Sequence, residues 1–179
     1  MDNYEKTIKV DNLYEGKILS LRVETVEMPD KKYSKREIVD HTKGVGIIAF
    51  DGEDSLYFVR QYRKAIGEMT LEIPAGLVES NEKPIDTAKR ELQEEIGFNP
   101  IDIEYLFDMH ASPGFTNDKL SFFIAKDLEE SKLSEDDDEF IEKKSIKIED
   151  AYNMVINGEI TDAKTIIGIM YAKKILDEK

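Results

Sequence analysis

Apolar and polar residues alternate through the first 42 residues, in the segments TIKV, KILSLRVETVEM and KREIVDH. Such alternation is typical of strands that bury one face, and the turn-forming run PDKK separates the last two segments. Residues 1–42 are therefore predicted to form a small antiparallel sheet. A sheet of this size is not stable alone, so it is expected to need a packing partner.

Residues 43–179 show a different order of patterns. The runs GVGIIAF, SLYFVRQYR and MTLEI predict three strands, the first two joined by the turn DGED. Apolar residues then recur at helical spacing over residues 82–96, and Gly97 ends this pattern. Further on, the patterns predict strands at IEYLFDMHA, KLSFFIAKD and KSIKI, and helices over residues 149–157 and 162–177. This order predicts an α/β fold with helices on both sides of a mixed sheet.

Composition narrows the range of functions. The chain has no cysteine, which excludes a disulfide framework and thiolate metal sites and leaves carboxylates and two histidines as possible metal ligands. The formal net charge of −14 argues against nonspecific binding to nucleic acid. No apolar stretch has the roughly 18 residues of a membrane span, and the N-terminus lacks a signal-peptide core. No membrane contact and a cytoplasmic location are therefore expected.

The strongest chemical signal lies in residues 76–98, GLVESNEKPIDTAKRELQEEIGF. Glu91, Glu94 and Glu95 fall within one predicted helical turn, where residues three and four apart share a face. Each like-charged pair at this spacing destabilises an isolated helix by about 0.2–0.5 kcal/mol. A bound Mg²⁺ would remove that repulsion, because carboxylate oxygens suit this hard cation. A solvated acidic face is the alternative explanation in a chain with 39 acidic residues.

The spacing of the whole segment favours the metal site. Five residues separate Gly76 from Glu82, seven separate Glu82 from Arg90, and the other fixed positions follow as Glu91, Leu92, Glu94, Glu95, Gly97 and Phe98. This register matches the Nudix box at every specified position, so the chain resembles the Nudix hydrolases. EIPAG before the box, SPGF after it and DAKT near the C-terminus are similar, more narrowly, to the ADP-ribose pyrophosphatase branch.

The resemblance implies a fold and a reaction. The expected fold is the Nudix fold, an α/β/α sandwich with a mixed β-sheet, over residues 43–179. The strand unit of residues 1–42 is expected to precede it and to serve dimerisation and substrate contact. The implied reaction is Mg²⁺-dependent hydrolysis of the pyrophosphate bond of ADP-ribose to AMP and ribose 5-phosphate, with Mn²⁺ as a possible substitute.

The resemblance also assigns the metal ligands. Glu91 and Glu95 are the implied direct ligands, together with the backbone carbonyl of Ala75. Glu94, which the resemblance places among the catalytic residues, is implied to bind a metal through water or to bind another metal. Such ions would reduce the repulsion between a nucleophile and the diphosphate oxygens and would activate water.

Two further roles concern the support of these ligands and the proton transfer. By resemblance, Arg90 orients the glutamates through salt bridges, and Glu82 supports the junction between loop and helix and could also contact a metal. The general base of this branch comes from a later acidic loop, which here is SEDDDEF. Within this loop Glu139 is the predicted base, with Asp137 and Asp138 as alternatives, because a carboxylate there could accept the proton of the attacking water.

The predicted substrate-binding residues are Arg36, Arg63, Pro113, Gly114 and Phe115. Arginine can bind phosphate through two parallel hydrogen bonds, and an aromatic ring can pack against adenine. An ordinary surface arginine, or an aromatic residue of the core, is the alternative explanation for Arg36, Arg63 and Phe115.

Two alternative functions remain open from the sequence. The chain could act on another nucleoside diphosphate derivative, such as a nucleotide sugar, or it could be a nucleotide-sensing module that does not cleave its ligand. The intact acidic cluster argues against the second, because a binding module does not need it. In this branch the N-terminal strands commonly pack on or exchange with a second subunit, so the resemblance also implies a homodimer.

Overall fold

The computed structural model describes residues 4–131, 133 and 141–178. They form two compact units, of which the first contains the chain up to Lys43 together with Met109–Leu120. The second unit contains Gly44–Asp108 and the chain from Ser121 onward. The first unit thus includes a distant segment in addition to the predicted strand unit, residues 1–42.

The sheet of the first unit has three antiparallel strands, in chain order β1 (Lys6–Glu15), β2 (Leu19–Glu27) and β3 (Tyr33–His41). β2 lies in the middle, so that Val23 pairs with Asp11 on one side and with Glu37 on the other. The β2–β3 turn lies in the predicted PDKK run, where Lys31 adopts a φ of 68°. The predicted N-terminal antiparallel sheet is confirmed.

Hydrogen bonds attach the distant segment to β3. The amide of Val39 donates to the carbonyl of Phe115 at 2.8 Å, and the amide of Asn117 donates to the carbonyl of Val39 at 3.3 Å. The side chain of Asn117 also accepts from the amide of His41 at 2.9 Å and donates to Asp40 at 2.7 Å. These partners lie far apart in sequence, which explains why hydropathy alone does not reveal the association.

The remaining described elements are β4 (Gly44–Asp51), β5 (Ser55–Arg63), β6 (Glu68–Glu72), β7 (Ala75–Leu77), α1 (Pro84–Glu91), β8 (Phe98–His110), β9 (Lys119–Glu130), β10 (Glu142–Lys147), α2 (Ile148–Ile156) and α3 (Ala163–Asp177). The seven strands form a mixed sheet in the order β10-β5-β4-β9-β8, with β6 beside β5 and β7 beside β4. In the part of the chain described here, no helix has the length and apolar character needed to cross a membrane.

β4 lies inside the sheet and is buried on both faces, which explains the uninterrupted apolar run GVGIIAF. On one face, Val45 and Ile47 belong to a core cluster with Leu92, at the end of α1. On the other face, a Cβ added to Gly168 of α3 would lie 3.5 Å from the side chain of Ile48. Helices therefore cover both sides of the sheet, as predicted.

The helix predicted over residues 82–96 begins at Pro84 and changes type at its end. It is α-helical over Pro84–Glu91 and π-helical over Leu92–Ile96, where the amide of Gly97 donates to the carbonyl of Leu92. Gly97 ends the helix with a φ of 78°, a conformation in which glycine is favoured. The wider last turn was not predicted, and such turns are frequent at functional sites.

The C-terminal helices lie close to their predicted positions. Gly158 follows α2 with a φ of 76°, and Asp162 caps α3 by accepting from the amide of Thr165 at 3.0 Å. The short strand β7 was not predicted, because Pro74, Ala75 and Gly76 were interpreted as the end of the preceding strand.

Candidate active site

The segment EIPAG, residues 72–76, lies beside β4 and is called the EIPAG loop below. In the β4–β7 ladder Gly46 pairs with Ala75 and Val45 pairs with Gly76. The amide of Ile47 donates to the carbonyl of Pro74 at 2.8 Å. These bonds fix the backbone of the loop against the central sheet.

Two buried carboxylates from the end of the first helix reach this backbone. Glu95 accepts a hydrogen bond from the amide of Ala75 at 3.0 Å. Glu91 lies over Gly76, because a Cβ built on Gly76 would be only 1.8 Å from its Oε1 and 2.0 Å from its Cδ. A side chain at residue 76 would therefore displace the carboxylate of Glu91. The structure brings three predicted ligands together, although Ala75 meets Glu95 through its amide, and the ligand role of its carbonyl stays a prediction.

Arg90 joins the carboxylates of the box. Its Nη1 lies 2.8 Å from Oε1 of Glu91 and 2.7 Å from Oε2 of Glu94. Its Nε and Nη2 donate to the two oxygens of Glu82 at 3.1 and 3.2 Å. Burial opposes the charged form of Arg90, but its bonds to Glu82 and the charges of Glu91 and Glu94 outweigh burial and raise its pKa. One guanidinium thus contacts all three acids, as an orienting role requires.

Glu82 connects the loop to the helix. Besides Arg90, its Oε2 accepts from the hydroxyl of Thr87 at 2.7 Å and from the amide of Glu79 at 3.3 Å. The hydrogen bonds from Arg90, aided by those from Thr87 and Glu79, hold the pKa of Glu82 below its usual value. The carboxylate therefore stays charged near neutral pH and ties both ends of the turn before α1 together.

The donor chemistry of these residues fits a hard divalent cation. Carboxylate oxygens are the ligands that Mg²⁺ prefers, and the missing Cβ of Gly76 leaves the space in which the carboxylate of Glu91 lies. Within the described residues, no group of three or more acid or histidine side chains is arranged to hold a metal ion. Arg90 instead lies between Glu91 and Glu94. If a cation binds here, Glu91, Glu94 and Glu95 would hold it.

A second buried network lies at the start of the EIPAG loop. Glu72 is 1% exposed and forms a two-pronged ion pair with Arg63, with both N···O distances at 2.7 Å. Lys164 donates to the same carboxylate, and the hydroxyl of Thr70 donates to it at 2.6 Å. Burial would raise the pKa of Glu72, but these partners lower it to about 2. Glu72 therefore carries its charge at neutral pH.

The predicted substrate-binding residues are divided between the two units. Arg63 lies in the second unit, where two of its donors bind Glu72. Arg36, Pro113, Gly114 and Phe115 lie in the first unit. There Arg36 forms a two-pronged ion pair with Glu5, at 2.8 and 2.6 Å. The phosphate contacts of both arginines stay predictions.

The predicted base Glu139 and its alternatives Asp137 and Asp138 lie outside the described residues. The described residues on either side bond to the end of the first helix. The amide of Ser131 donates to the carbonyl of Gly97 at 2.9 Å, and Lys143 donates to the carbonyl of Ile96 at 2.9 Å.

A cavity of about 560 Å³ lies beside these bonds. It is lined by Glu94, Glu95, Phe98, Ser131 and Lys143 among others. Two of the predicted metal ligands thus border an open volume of the second unit.

Sequence reasoning gave no role to Glu72 or Lys164, although it quoted EIPAG and DAKT as motifs. The structure shows that the two motifs contact each other, because Lys164 binds Glu72 and the amide of Ile73 donates to the hydroxyl of Thr165 at 2.8 Å. The sequence did contain one signal, because lysine stands at the start of a helix, where a cation is disfavoured.

Comparisons with known proteins agree with this architecture. The model of the family described as NUDIX domain matches residues 40–167. A crystal structure of an ADP compounds hydrolase superposes with a TM-score of 0.87 and covers 97% of this chain and 95% of that one. Its sequence identity is 19%, so this likeness concerns the fold, and it confirms the predicted fold class.

Two relatives extend over nearly the whole chain. The ADP-ribose pyrophosphatase of Bacillus subtilis (strain 168) is 40% identical over 169 residues, which cover 93% of this chain and 91% of the relative. The methanol dehydrogenase activator of Bacillus methanolicus is 38% identical over 169 residues, with the same coverage.

Proposed function

The chain belongs to the NUDIX domain family, and we propose that it hydrolyses the diphosphate bond of ADP-ribose, with bound Mg²⁺, to AMP and ribose 5-phosphate. The observation that carries the proposal is the placement of the buried carboxylates of Glu91 and Glu95 against the backbone of Ala75 and Gly76. The 40% identity to an ADP-ribose pyrophosphatase supports the choice of substrate.

The chemistry follows from the charges of the site. When bound, Mg²⁺ reduces the repulsion between the diphosphate and an attacking water and lowers the pKa of that water. Glu91, Glu94 and Glu95 would hold the ion, and Arg90 contacts the carboxylates of Glu91 and Glu94 and is proposed to orient them. Arg63 and Arg36 are the proposed phosphate contacts, and Pro113, Gly114 and Phe115 are proposed to form the substrate loop.

A substrate panel tests the proposed function. With Mg²⁺ present, ADP-ribose is expected to exceed ADP-glucose, NADH and diadenosine polyphosphates in kcat/KM by about tenfold or more, because the pocket must match the second sugar as well as the diphosphate. EDTA should stop turnover and excess Mg²⁺ should restore it. A higher kcat/KM for ADP-glucose would indicate a nucleotide-sugar enzyme. Binding without turnover of any compound would indicate a sensing module.

The general base is proposed to be Glu139. The bonds that Ser131 and Lys143 make to residues 96–97 support a base from the intervening segment. Glu139→Gln is expected to lower kcat by about 10²-fold or more with a smaller change in KM, because it removes a proton acceptor and keeps the side-chain shape. Glu129→Gln, at an exposed position of β9, is the control. If Asp137→Asn or Asp138→Asn produces the loss instead, that residue is the base.

A homodimer is proposed to form through the N-terminal sheet. Several large apolar side chains of the first unit are 48–65% exposed, which is unusual for a free sheet surface: Ile8, Val10, Leu13, Tyr14, Ile18 and Tyr33. Sedimentation equilibrium is expected to give twice the chain mass of 20.6 kDa. A single-chain mass at every concentration would contradict the dimer.

A further inference from the structure

The carboxylate of Glu72 has an unusually complete set of partners. Its Oε1 accepts from Nε of Arg63 at 2.7 Å and from Thr70 at 2.6 Å, and its Oε2 accepts from Nη2 of Arg63 at 2.7 Å and from Lys164. Two cationic side chains therefore pair with one buried carboxylate. Arg63 alone would satisfy the charge of Glu72, so the second cation requires a separate explanation.

Lys164 occupies a position that helix electrostatics disfavours. It lies in the first turn of α3, where the free backbone amides make the helix end positive. Its contacts with Glu72 and with Asp162, at 3.0 Å, compensate for that position. Its side chain is 13% exposed, so the surrounding water contributes little. Lys164 is therefore held by the two acids that it joins.

The EIPAG loop connects Glu72 to the predicted metal ligands, and hydrogen bonds from its backbone fix it at both ends. The amide of Ile73 donates to Thr165 of α3 at 2.8 Å, next to Lys164 in sequence. At the other end of the same loop, the amide of Ala75 donates to Glu95 at 3.0 Å. The EIPAG loop is thus fixed at its start by α3 and at its end by the carboxylates of the first helix.

We propose that Lys164 is a positioning residue for the metal site: through Glu72 it holds the EIPAG loop in place against the carboxylates of Glu91 and Glu95. This inference rests on the proposed metal site. Among the described contacts, Lys164 binds Glu72 and Asp162, and neither acid was predicted to bind the metal. The effect of Lys164 on the metal is therefore indirect.

The test is a direct measurement of Mn²⁺ binding to the full chain without substrate, by titration calorimetry or by the electron paramagnetic resonance of free Mn²⁺. Lys164→Met is expected to weaken Mn²⁺ binding by about tenfold, the usual effect of losing a residue that orients a metal ligand. Lys164→Arg keeps the charge and is expected to restore binding to within about threefold of the unmodified chain. In activity assays, Lys164→Met should need a higher Mg²⁺ concentration for half-maximal activity than the unmodified chain. Its kcat should be largely recovered at saturating Mg²⁺.

Lys173 provides a matched control on the same helix. It also joins two carboxylates, Asp177 and Glu149, the latter at 3.2 Å, and its side chain is 20% exposed. Lys173→Met should leave the Mn²⁺ affinity within about twofold of that of the unmodified chain, because surface ion pairs of this kind contribute little to stability. If both lysine variants weaken Mn²⁺ binding equally, the effect belongs to the helix as a whole and the inference is overturned.

A double substitution tests whether Lys164 acts through Glu72 and covers the case in which Lys164→Met does not fold. Glu72→Gln alone should weaken Mn²⁺ binding. Adding Lys164→Met should then change the affinity by less than about twofold, because substitutions within one contact network do not have additive effects. Additive losses would overturn the inference. So would wild-type Mn²⁺ affinity in Lys164→Met, even with a lowered Tm. Absence of Mn²⁺ binding in the unmodified chain would instead refute the proposed metal site.

Discussion

Glu95→Gln is expected to lower kcat by about 10³-fold, which corresponds to about 4 kcal/mol of transition-state stabilisation, while the chain stays folded. The amide oxygen of glutamine can still accept the hydrogen bond that the amide of Ala75 donates at 3.0 Å. The substitution therefore keeps the contact with the EIPAG loop and removes the negative charge that a divalent cation needs. Steady-state kinetics in saturating Mg²⁺ and the Tm measure the two effects separately.

The matched control is Glu79→Gln, in the same box at an exposed position whose backbone amide bonds to Glu82. It removes an equal charge close by and should leave kcat within about twofold, since exposed charges are largely screened by water. Wild-type turnover in Glu95→Gln would contradict the assignment of Glu95 as a metal ligand. An equal loss in both variants would show that net charge, and not the particular carboxylate, matters.

Gly76→Ala is expected to lower kcat/KM by about 10²-fold or more, because the added methyl group must displace a reacting-site carboxylate by about an ångström or more. The Cβ of alanine would lie 1.8 Å from Oε1 of Glu91, which is far closer than two non-bonded atoms can approach. The ladder between β4 and β7 uses backbone groups, so the fold should survive. Kinetics and Mn²⁺ binding, with circular dichroism for the fold, measure the outcome.

Gly46→Ala is the control for this substitution. Gly46 pairs with Ala75 on the neighbouring strand, and a Cβ there would meet the side chain of Ile73 at an ordinary 3.4 Å. It should retain most activity. In a Glu91→Gln background, Gly76→Ala should cause little further loss of activity, because the negative charge of side chain 91 has already been removed. Full activity in Gly76→Ala would show that the observed closeness of Glu91 is not needed for function.

The features that sequence predicted well are local ones. Strand and helix patterns extend over five to fifteen neighbouring residues, and the box spans residues 76–98, so one helix and its preceding loop contain the whole motif. The burial of β4 on both faces likewise follows from its continuous apolar run. Their order along the chain was then enough to predict helices on both sides of a mixed sheet.

The features that sequence missed depend on distant partners or on small differences in backbone energy. Glu72 and Lys164 are 92 positions apart, and Asn117 and Asp40 are 77 apart, so no local pattern connects them. The π-helical turn at Leu92–Ile96 differs from an α-helical turn by one residue in its hydrogen bonding, a change that hydropathy does not record.

The long separation between Glu72 and Lys164 has a consequence for biosynthesis. A nascent chain exposes the glutamate 92 residues before its lysine partner is made. Until α3 leaves the ribosome, Arg63 is the single cation of this pair available to compensate a carboxylate that must lose its water. The EIPAG loop therefore reaches its final environment only after α3 has been made and has docked.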